Sequence, residues 1–253
     1  YLVPGGPFRM QVEPSCDLRD RGVVVRGTDL SGGVTQGDEL EILPARHKAR
    51  VRDVQVHGAD VDSAYAGQRV ALSLASVSRQ EIKSGSTVVA QGAAVLTSRM
   101  DVKVYLRPSA AKAVKSYQSV RVYLGTQELR GRMIWLDGSS QLQSPASAYA
   151  QIVLDREAVA YVGDRFVIRD ETASHTLGGG CVLVAVARHY RRREREDVVA
   201  KLEIFERGSD AQRLAVFLEL VQTLGAAPSQ VLAGIAVDSD RLAALVEDSD
   251  TVE

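Results

Sequence analysis

The sequence has little of what marks several large classes of protein. Its 253 residues include only two cysteines, Cys16 and Cys181, a number and spacing that exclude a disulfide scaffold and are typical of reduced intracellular thiols. No apolar run approaches the roughly 20 residues that a membrane-spanning helix needs, so we expect a cytoplasmic protein with no membrane partner. The 31 basic and 32 acidic side chains leave a net charge of −1, which provides no overall attraction to nucleic acid or to anionic membranes.

The motifs of common enzyme chemistry are missing as well. There is no GxxxxGK[ST] phosphate loop, no HExxH and no CxxC, and the four histidines are scattered along the chain. The run Gly178-Gly179-Gly180 lies among strand-like segments and does not open a helix, so it is not a phosphate cradle. The sequence therefore predicts no catalytic residue, no metal site and no cofactor bound within this chain.

Short β-rich segments follow one another from Phe8 to about Val186. Apolar and polar residues alternate in several of them, as at Val102, Val104 and Leu106, and turns rich in Gly, Asp and Ser separate them. This pattern predicts small antiparallel barrels or sandwiches. Because the segments are too numerous for one small barrel, we place a boundary near Gly92 and predict two barrels, at residues 1–92 and 93–187.

Residues 188–253 have the character of a basic linker followed by short helices. The linker contains the run Arg191–Arg195, which is normally solvated. Ser209 is a candidate N-cap, and further helices are expected from Pro228 and Ser239. Helical spacing predicts that one stripe lies in the core: Leu214, Phe217, Leu218 and Val221. Three short helices are typical of a truncated winged-helix unit, but two arginines against eight acids in residues 209–253, a net charge of −6, make it a poor phosphate binder.

Several segments resemble domains of the translational GTPases. The stretch Arg26–Gly32, followed by Gly37–Pro44, resembles their second domain. The stretch Val51–Gly58, followed by Ala66–Leu72, is similar to the selenocysteine-specific elongation factor family rather than to the general aminoacyl-tRNA carrier. Later segments agree with the same family: Leu124–Glu128, Gly163–Asp170 and Thr176–Gly180.

The resemblance covers about residues 7–187 and implies both a fold and a function. The implied fold is mainly β with a small α tail: two consecutive antiparallel β-barrels of the translation-factor domain II and domain III type, then a truncated winged-helix unit. The implied function is GTP-dependent delivery of selenocysteinyl-tRNA to the ribosome at recoded UGA codons. The first residues, YLVPGGPFR, are not a natural start. We expect a cut inside a longer protein, and the resemblance implies a GTPase domain, with its GTP and Mg²⁺, before Tyr1 and no enzyme activity in this chain. Family members also grip an mRNA hairpin with C-terminal winged helices, which we expect beyond Glu253.

Five residues are expected to bind the aminoacylated end of the tRNA because they match the pocket of that family. Arg69 falls on a pocket arginine and His57 on the pocket histidine. Gln55 falls on the residue beside the terminal adenine, and Glu13 falls on the pocket acid. Arg26 replaces the usual threonine and adds a positive charge nearby.

The chemistry expected of this pocket is selection by charge. A selenol is largely ionised near neutral pH, so a fixed cation with a hydrogen-bonding neighbour selects it over the neutral hydroxyl of serine. The sequence departs from the family where Glu13-Pro14-Ser15-Cys16 replaces the usual Asp-Arg-Ala-Phe, which removes a second arginine and an aromatic wall. The alternative is a divergent paralogue whose tandem barrels act as a protein-interaction scaffold. Without the resemblance, Arg69 is interpreted as a solvated turn arginine and His57 as a residue at the end of a strand.

Overall fold

The computed structural model describes residues 6–13, 16–18, 22–94, 96–108, 113–221, 235 and 239–250. The chain divides into two compact units. The first comprises residues 1–95 and 125–127, and the second comprises residues 96–124 and 128–253.

The first unit is built around a closed barrel of six antiparallel strands. Its elements are β1 (Arg9–Val12), β2 (Cys16–Leu18), β3 (Gly22–Ser31), β4 (Gly33–Thr35), β5 (Glu39–Leu43), β6 (His47–Val56), β7 (Ala59–Val61), β8 (Ser63–Tyr65), β9 (Arg69–Ala75), a 3₁₀ helix (Arg79–Glu81) and β10 (Thr87–Ala90). The order around the barrel is β1-β10-β5-β6-β9-β3, and β3 pairs with β1 to close it. Strand β2 pairs with β3, and β7 pairs with β6. Strand β4 pairs with β8 in a separate two-stranded sheet.

Alternating side chains fill the first barrel. On β6, Val51, Val54 and Val56 are buried, whereas the polar residues between them point away from the core. A strand that alternates in this way exposes one face to solvent and buries the other. The two faces separate the barrel core from the polar side chains that are available for binding.

The second unit contains another closed antiparallel barrel, with the strand order β11-β16-β14-β13-β17-β18. Its strands are β11 (Leu96–Leu106), β12 (Val114–Lys115), β13 (Ser119–Leu124), β14 (Gln127–Trp135), β15 (Gln141–Leu142), β16 (Ala146–Val159), β17 (Arg165–Asp170) and β18 (Thr176–Val184). The three consecutive glycines lie within β18, between β11 and β17. A Cβ atom on Gly180 would lie 1.8 Å from the carbonyl oxygen of Lys103, so this run permits close strand packing.

The helical tail packs on the second barrel. Helices α1 (Arg195–Arg207), α2 (Asp210–Val221) and α3 (Ser239–Asp250) follow a 3₁₀ turn at Arg192–Glu194. Val198, Leu202 and Phe205 on α1 join a hydrophobic cluster with Leu136 and Tyr149 of the barrel. At the start of α2, the Ser209 and Gln212 side chains accept hydrogen bonds from each other's backbone N–H, at 3.4 and 2.9 Å.

Polar contacts also join the tail to the second barrel. The Tyr149 hydroxyl donates to Glu206 Oε2 on α1 at 2.5 Å. Just before the tail, the Tyr190 hydroxyl donates to Asp101 Oδ2 at 2.5 Å, and Gln151 Nε2 donates to Asp101 Oδ1 at 2.8 Å. Burial raises the pKa of the Asp101 carboxyl to about 7, although these hydrogen bonds act in the opposite direction. These contacts fix the chain where it leaves the barrel.

The predicted fold class is confirmed: the protein is mainly β, with two antiparallel barrels and a short helical region at the C-terminal end. Among the described residues between 8 and 186, the only helix is the 3₁₀ turn Arg79–Glu81. None of the helices in the described part of the chain is long and apolar enough to cross a membrane.

One prediction for the tail is wrong. The helical spacing predicts Leu218 in the core, but Val216, Phe217 and Leu220 are the buried residues of α2, and Leu218 is 46% exposed. The helix expected from Pro228 lies outside the described residues. The winged-helix assignment and the division at residues 92 and 187 stay predictions.

Candidate functional site

The candidate site lies on the outward face of three neighbouring strands of the first barrel. Arg26 on β3 is opposite Ala71 on β9, and Ala71 is opposite Gln55 on β6. These three residues therefore form a row across the sheet, although they are distant in sequence. Their neighbours Val25 and Val54 are buried, so the row itself faces outward.

A tight turn places His57 at the edge of this row. Val56 pairs with Ala59, so β6 and β7 are joined by the two residues His57 and Gly58. Both have positive φ, 53° and 82°. This is the requirement of the type I′ turn, which matches the twist of a hairpin. The turn leaves the His57 side chain exposed.

Four of the five predicted residues line one surface cavity of about 290 Å³: Arg26, Gln55, His57 and Arg69. Three further residues line the cavity and were not predicted from the sequence: Gly58, Val70 and Ala71. Ala71 lies between two long side chains, and its single methyl group leaves the space that they surround. Strand alternation indicates that Ala71 shares the face of Arg69, but only the pairing of β3, β9 and β6 shows that it lies at the centre.

Glu13, the fifth predicted residue, reaches the site through Arg69. Arg69 Nη2 donates to Glu13 Oε2 at 2.5 Å, and the Glu13 backbone N–H donates to the Arg26 carbonyl at 2.8 Å. The Arg69 side chain is 66% exposed and that of Glu13 is 33% exposed. Water therefore screens this ion pair, which contributes little to stability.

The remaining polar groups of the cavity differ in their partners. Gln55 Nε2 donates to Asp60 Oδ1 at 2.7 Å, which orients the amide. Within the described residues, no acidic side chain forms an ion pair with Arg26. The cavity thus holds one paired guanidinium, one guanidinium without an acidic partner and one imidazole. Such a site favours an anionic ligand.

A second group of cations lies in the other unit. Arg99, Arg132 and Arg195 line a cavity of about 220 Å³ together with Tyr117. Arg195 Nη2 donates to the Tyr117 hydroxyl at 3.0 Å. Clustered arginines of this kind suit contacts to a phosphodiester backbone. Only Arg195 stands out in the sequence, as part of the 191–195 run, because the other two arginines come from separate strands.

Two family descriptions match the chain. "Selenocysteine-specific elongation factor, beta-barrel domain" matches residues 92–189, and "Elongation factor Tu domain 2" matches residues 22–89. The chain is similar to the selenocysteine-specific elongation factors. Such a factor from Desulfomicrobium baculatum is 28% identical over 189 residues, which are 75% of this chain and 30% of that protein. The factor from Escherichia coli K12 is 26% identical over 213 residues, 84% of this chain and 33% of that protein.

Elongation factor Tu 2 of Streptomyces avermitilis is also similar, with 28% identity over 181 residues, or 70% of this chain and 45% of that protein. The chain spans about a third of the length of its selenocysteine-specific relatives. Their similarity extends over both barrels, and the cavity residues lie within the segment that matches the elongation factor Tu domain 2 description. The role of Glu13, Arg26, Gln55, His57 and Arg69 in holding an aminoacyl end stays a prediction.

Proposed function

We propose that this chain is the barrel portion of a GTP-dependent translation factor that binds selenocysteinyl-tRNA and delivers it to the ribosome at recoded UGA codons. The observation that carries the proposal is the cationic cavity on the first barrel, in a chain related to selenocysteine-specific elongation factors. The cavity opens on the outward face, so the 3′ end of a tRNA enters it from solvent.

Charge is the basis of cargo selection in this proposal. A selenolate placed in the cavity receives charge-assisted hydrogen bonds from guanidinium groups, which are shorter and roughly twice as strong as neutral ones. The hydroxyl of serine is neutral and gains much less from the same donors. In this proposal Gln55, whose amide donates to Asp60, contacts the terminal adenosine rather than the amino acid.

The rest of the assembly follows from the same proposal. A GTPase domain of the same protein holds GTP and Mg²⁺, and further winged helices hold the mRNA hairpin. The second barrel and its arginine cavity contact the tRNA backbone. The protein acts in the cytoplasm, where the ribosome is its partner.

Filter binding of the full-length protein tests this function. One tRNA is charged either with selenocysteine or with serine, and its affinity is measured with and without GTP. We expect GTP-dependent binding with a clear preference for the selenocysteinyl form. Equal affinity for the two cargoes would contradict selenocysteine selection.

The alternative function is a protein-interaction scaffold without cargo. The observation in its favour is the ion pair with Glu13, which partly neutralises Arg69. The same assay separates the two functions, because a scaffold binds neither form of the charged tRNA.

A further inference from the structure

We propose that Arg26, rather than Arg69, is the residue that selects an anionic side chain in the first-barrel cavity. This inference rests on the proposed function and names the specificity-determining residue of the same site. It follows from the charged partners and the backbone support of the two arginines.

Arg69 is poorly suited to discriminate by charge. Its guanidinium lies 2.5 Å from the Glu13 carboxylate, and the side chain is 66% exposed. A carboxylate at this distance cancels most of the field that a second anion would feel, and water screens the remainder. A cargo that engages Arg69 has to compete with Glu13 or to accept repulsion from it.

Arg26 is also exposed, but it lacks the acidic partner that Arg69 has. Among the residues that the structure describes, no carboxylate forms an ion pair with it, and it lines the same cavity. It lies in the row that contains Ala71 and Gln55, so its nearest cross-strand neighbour on β9 is a methyl group. A ligand beside Ala71 therefore meets Arg26 without displacing another side chain.

The backbone of Arg26 is held on both sides. Its carbonyl accepts the Glu13 N–H at 2.8 Å, and on the other side β3 pairs with β9. The next residue, Gly27, has no room for a side chain, since a Cβ atom there would lie 2.0 Å from the Gln11 carbonyl oxygen. Strand β1 thus packs closely against β3, and this packing fixes the point from which the Arg26 side chain extends.

The other polar residues do not supply a permanent charge. His57 is charged only when its imidazole is protonated, and Gln55 is neutral and bound to Asp60. Arg26 is therefore the one permanently charged cavity residue without an acidic partner in the described part of the chain. A planar guanidinium also offers more than one N–H donor to an anion.

The test uses the full-length protein with GTP and one tRNA charged with either selenocysteine or serine. The variants are Arg26→Ala, Arg26→Lys, Arg69→Ala and Glu13→Gln. Arg52→Ala is the matched control, because Arg52 is an exposed arginine of the same barrel that does not line the cavity. Equilibrium affinity is measured for both cargoes, and circular dichroism checks that each variant is folded.

We expect Arg26→Ala to weaken selenocysteinyl-tRNA binding about tenfold or more, the loss of one charged hydrogen bond, and to change seryl-tRNA binding less than about twofold. Arg26→Lys retains part of the preference. Glu13→Gln strengthens selenocysteinyl-tRNA binding, because it releases the charge of Arg69. Arg69→Ala lowers the preference less than Arg26→Ala does, and Arg52→Ala leaves both affinities unchanged.

The outcomes separate this inference from the function on which it rests. A wild-type protein that fails to prefer selenocysteinyl-tRNA overturns the proposed function. If the wild type shows the preference but Arg26→Ala reduces both affinities equally, or neither, the function stands and Arg26 is not the selecting residue. Loss of the preference in Arg69→Ala, with Arg26→Ala unaffected, assigns selection to Arg69 and overturns the inference.

Discussion

Replacement of Gly27 by alanine tests how firmly β1 holds the strand that carries Arg26. The added Cβ would lie 2.0 Å from the Gln11 carbonyl oxygen and 2.9 Å from Met10 Cγ. The first of these distances is far inside van der Waals contact and involves backbone, so β1 has to move away from β3. Overpacking of this kind typically costs about 1–3 kcal/mol. A shift of β1 also weakens the hydrogen bonds of the β1–β3 pair, which closes the barrel.

Hydrogen exchange of backbone amides is the assay that localises this effect. A loss of about 1–3 kcal/mol in local stability predicts that amides of β1 and β3 exchange about 5- to 150-fold faster in Gly27→Ala. Thr28→Ala is the control, because Thr28 is the exposed neighbour on the same strand and its loss is expected to change stability by less than about 0.5 kcal/mol. Unchanged protection in Gly27→Ala would show that β1 yields without cost and does not fix the position of Arg26.

Three other predictions concern the second unit. Burial raises the pKa of Asp101 to about 7. Between about pH 4 and pH 7 the folded carboxyl therefore holds a proton that the unfolded chain has released. The free energy of unfolding falls as pH rises through this window. Asp101→Asn should therefore reduce the difference in Tm between about pH 5 and about pH 8. An unchanged difference would show that groups other than Asp101 cause the pH dependence of Tm. Arg132→Glu should weaken selenocysteinyl-tRNA and seryl-tRNA binding equally and lower the salt dependence of both. Weaker binding of one aminoacyl-tRNA alone would contradict a contact between Arg132 and the phosphodiester backbone. Leu202→Ala, at a fully buried position of α1, should lower the free energy of unfolding by about 2–5 kcal/mol in urea denaturation. The control is Ile204→Ala, because the Ile204 side chain is 43% exposed. Equal effects of the two substitutions would contradict the packing of α1 on the barrel.

The fold could be predicted from the sequence because its signals are local. Alternation of apolar residues, turn residues between the strands and helical spacing after residue 191 are each visible in a short window. The error at Leu218 is of the same kind. An amphipathic helix with apolar residues at neighbouring positions has more than one possible buried face, and packing on the rest of the unit decides which one is used.

The candidate site could be predicted only in part. Its residues came from the match to a family pocket, and the structure gathers four of them around one cavity with Glu13 bound at its edge. The pairing of Glu13 with Arg69, 56 residues apart, depends on the order of strands around the barrel. The central place of Ala71 depends on the register between strands that are not consecutive. Neither property is present in a local sequence pattern.

The two-residue turn at His57 and Gly58 has a consequence for engineering. Because strand register and loop length set the positions of the cavity residues, an inserted residue in this loop relocates the imidazole, whereas an exchanged side chain at Arg26 or Arg69 does not move the backbone. Attempts to change which ligand fits the cavity therefore have to preserve the length of this hairpin and vary only the identity of the outward residues. A library that randomises positions 26, 55 and 69 keeps the scaffold intact, and one that adds even a single codon between 56 and 59 does not.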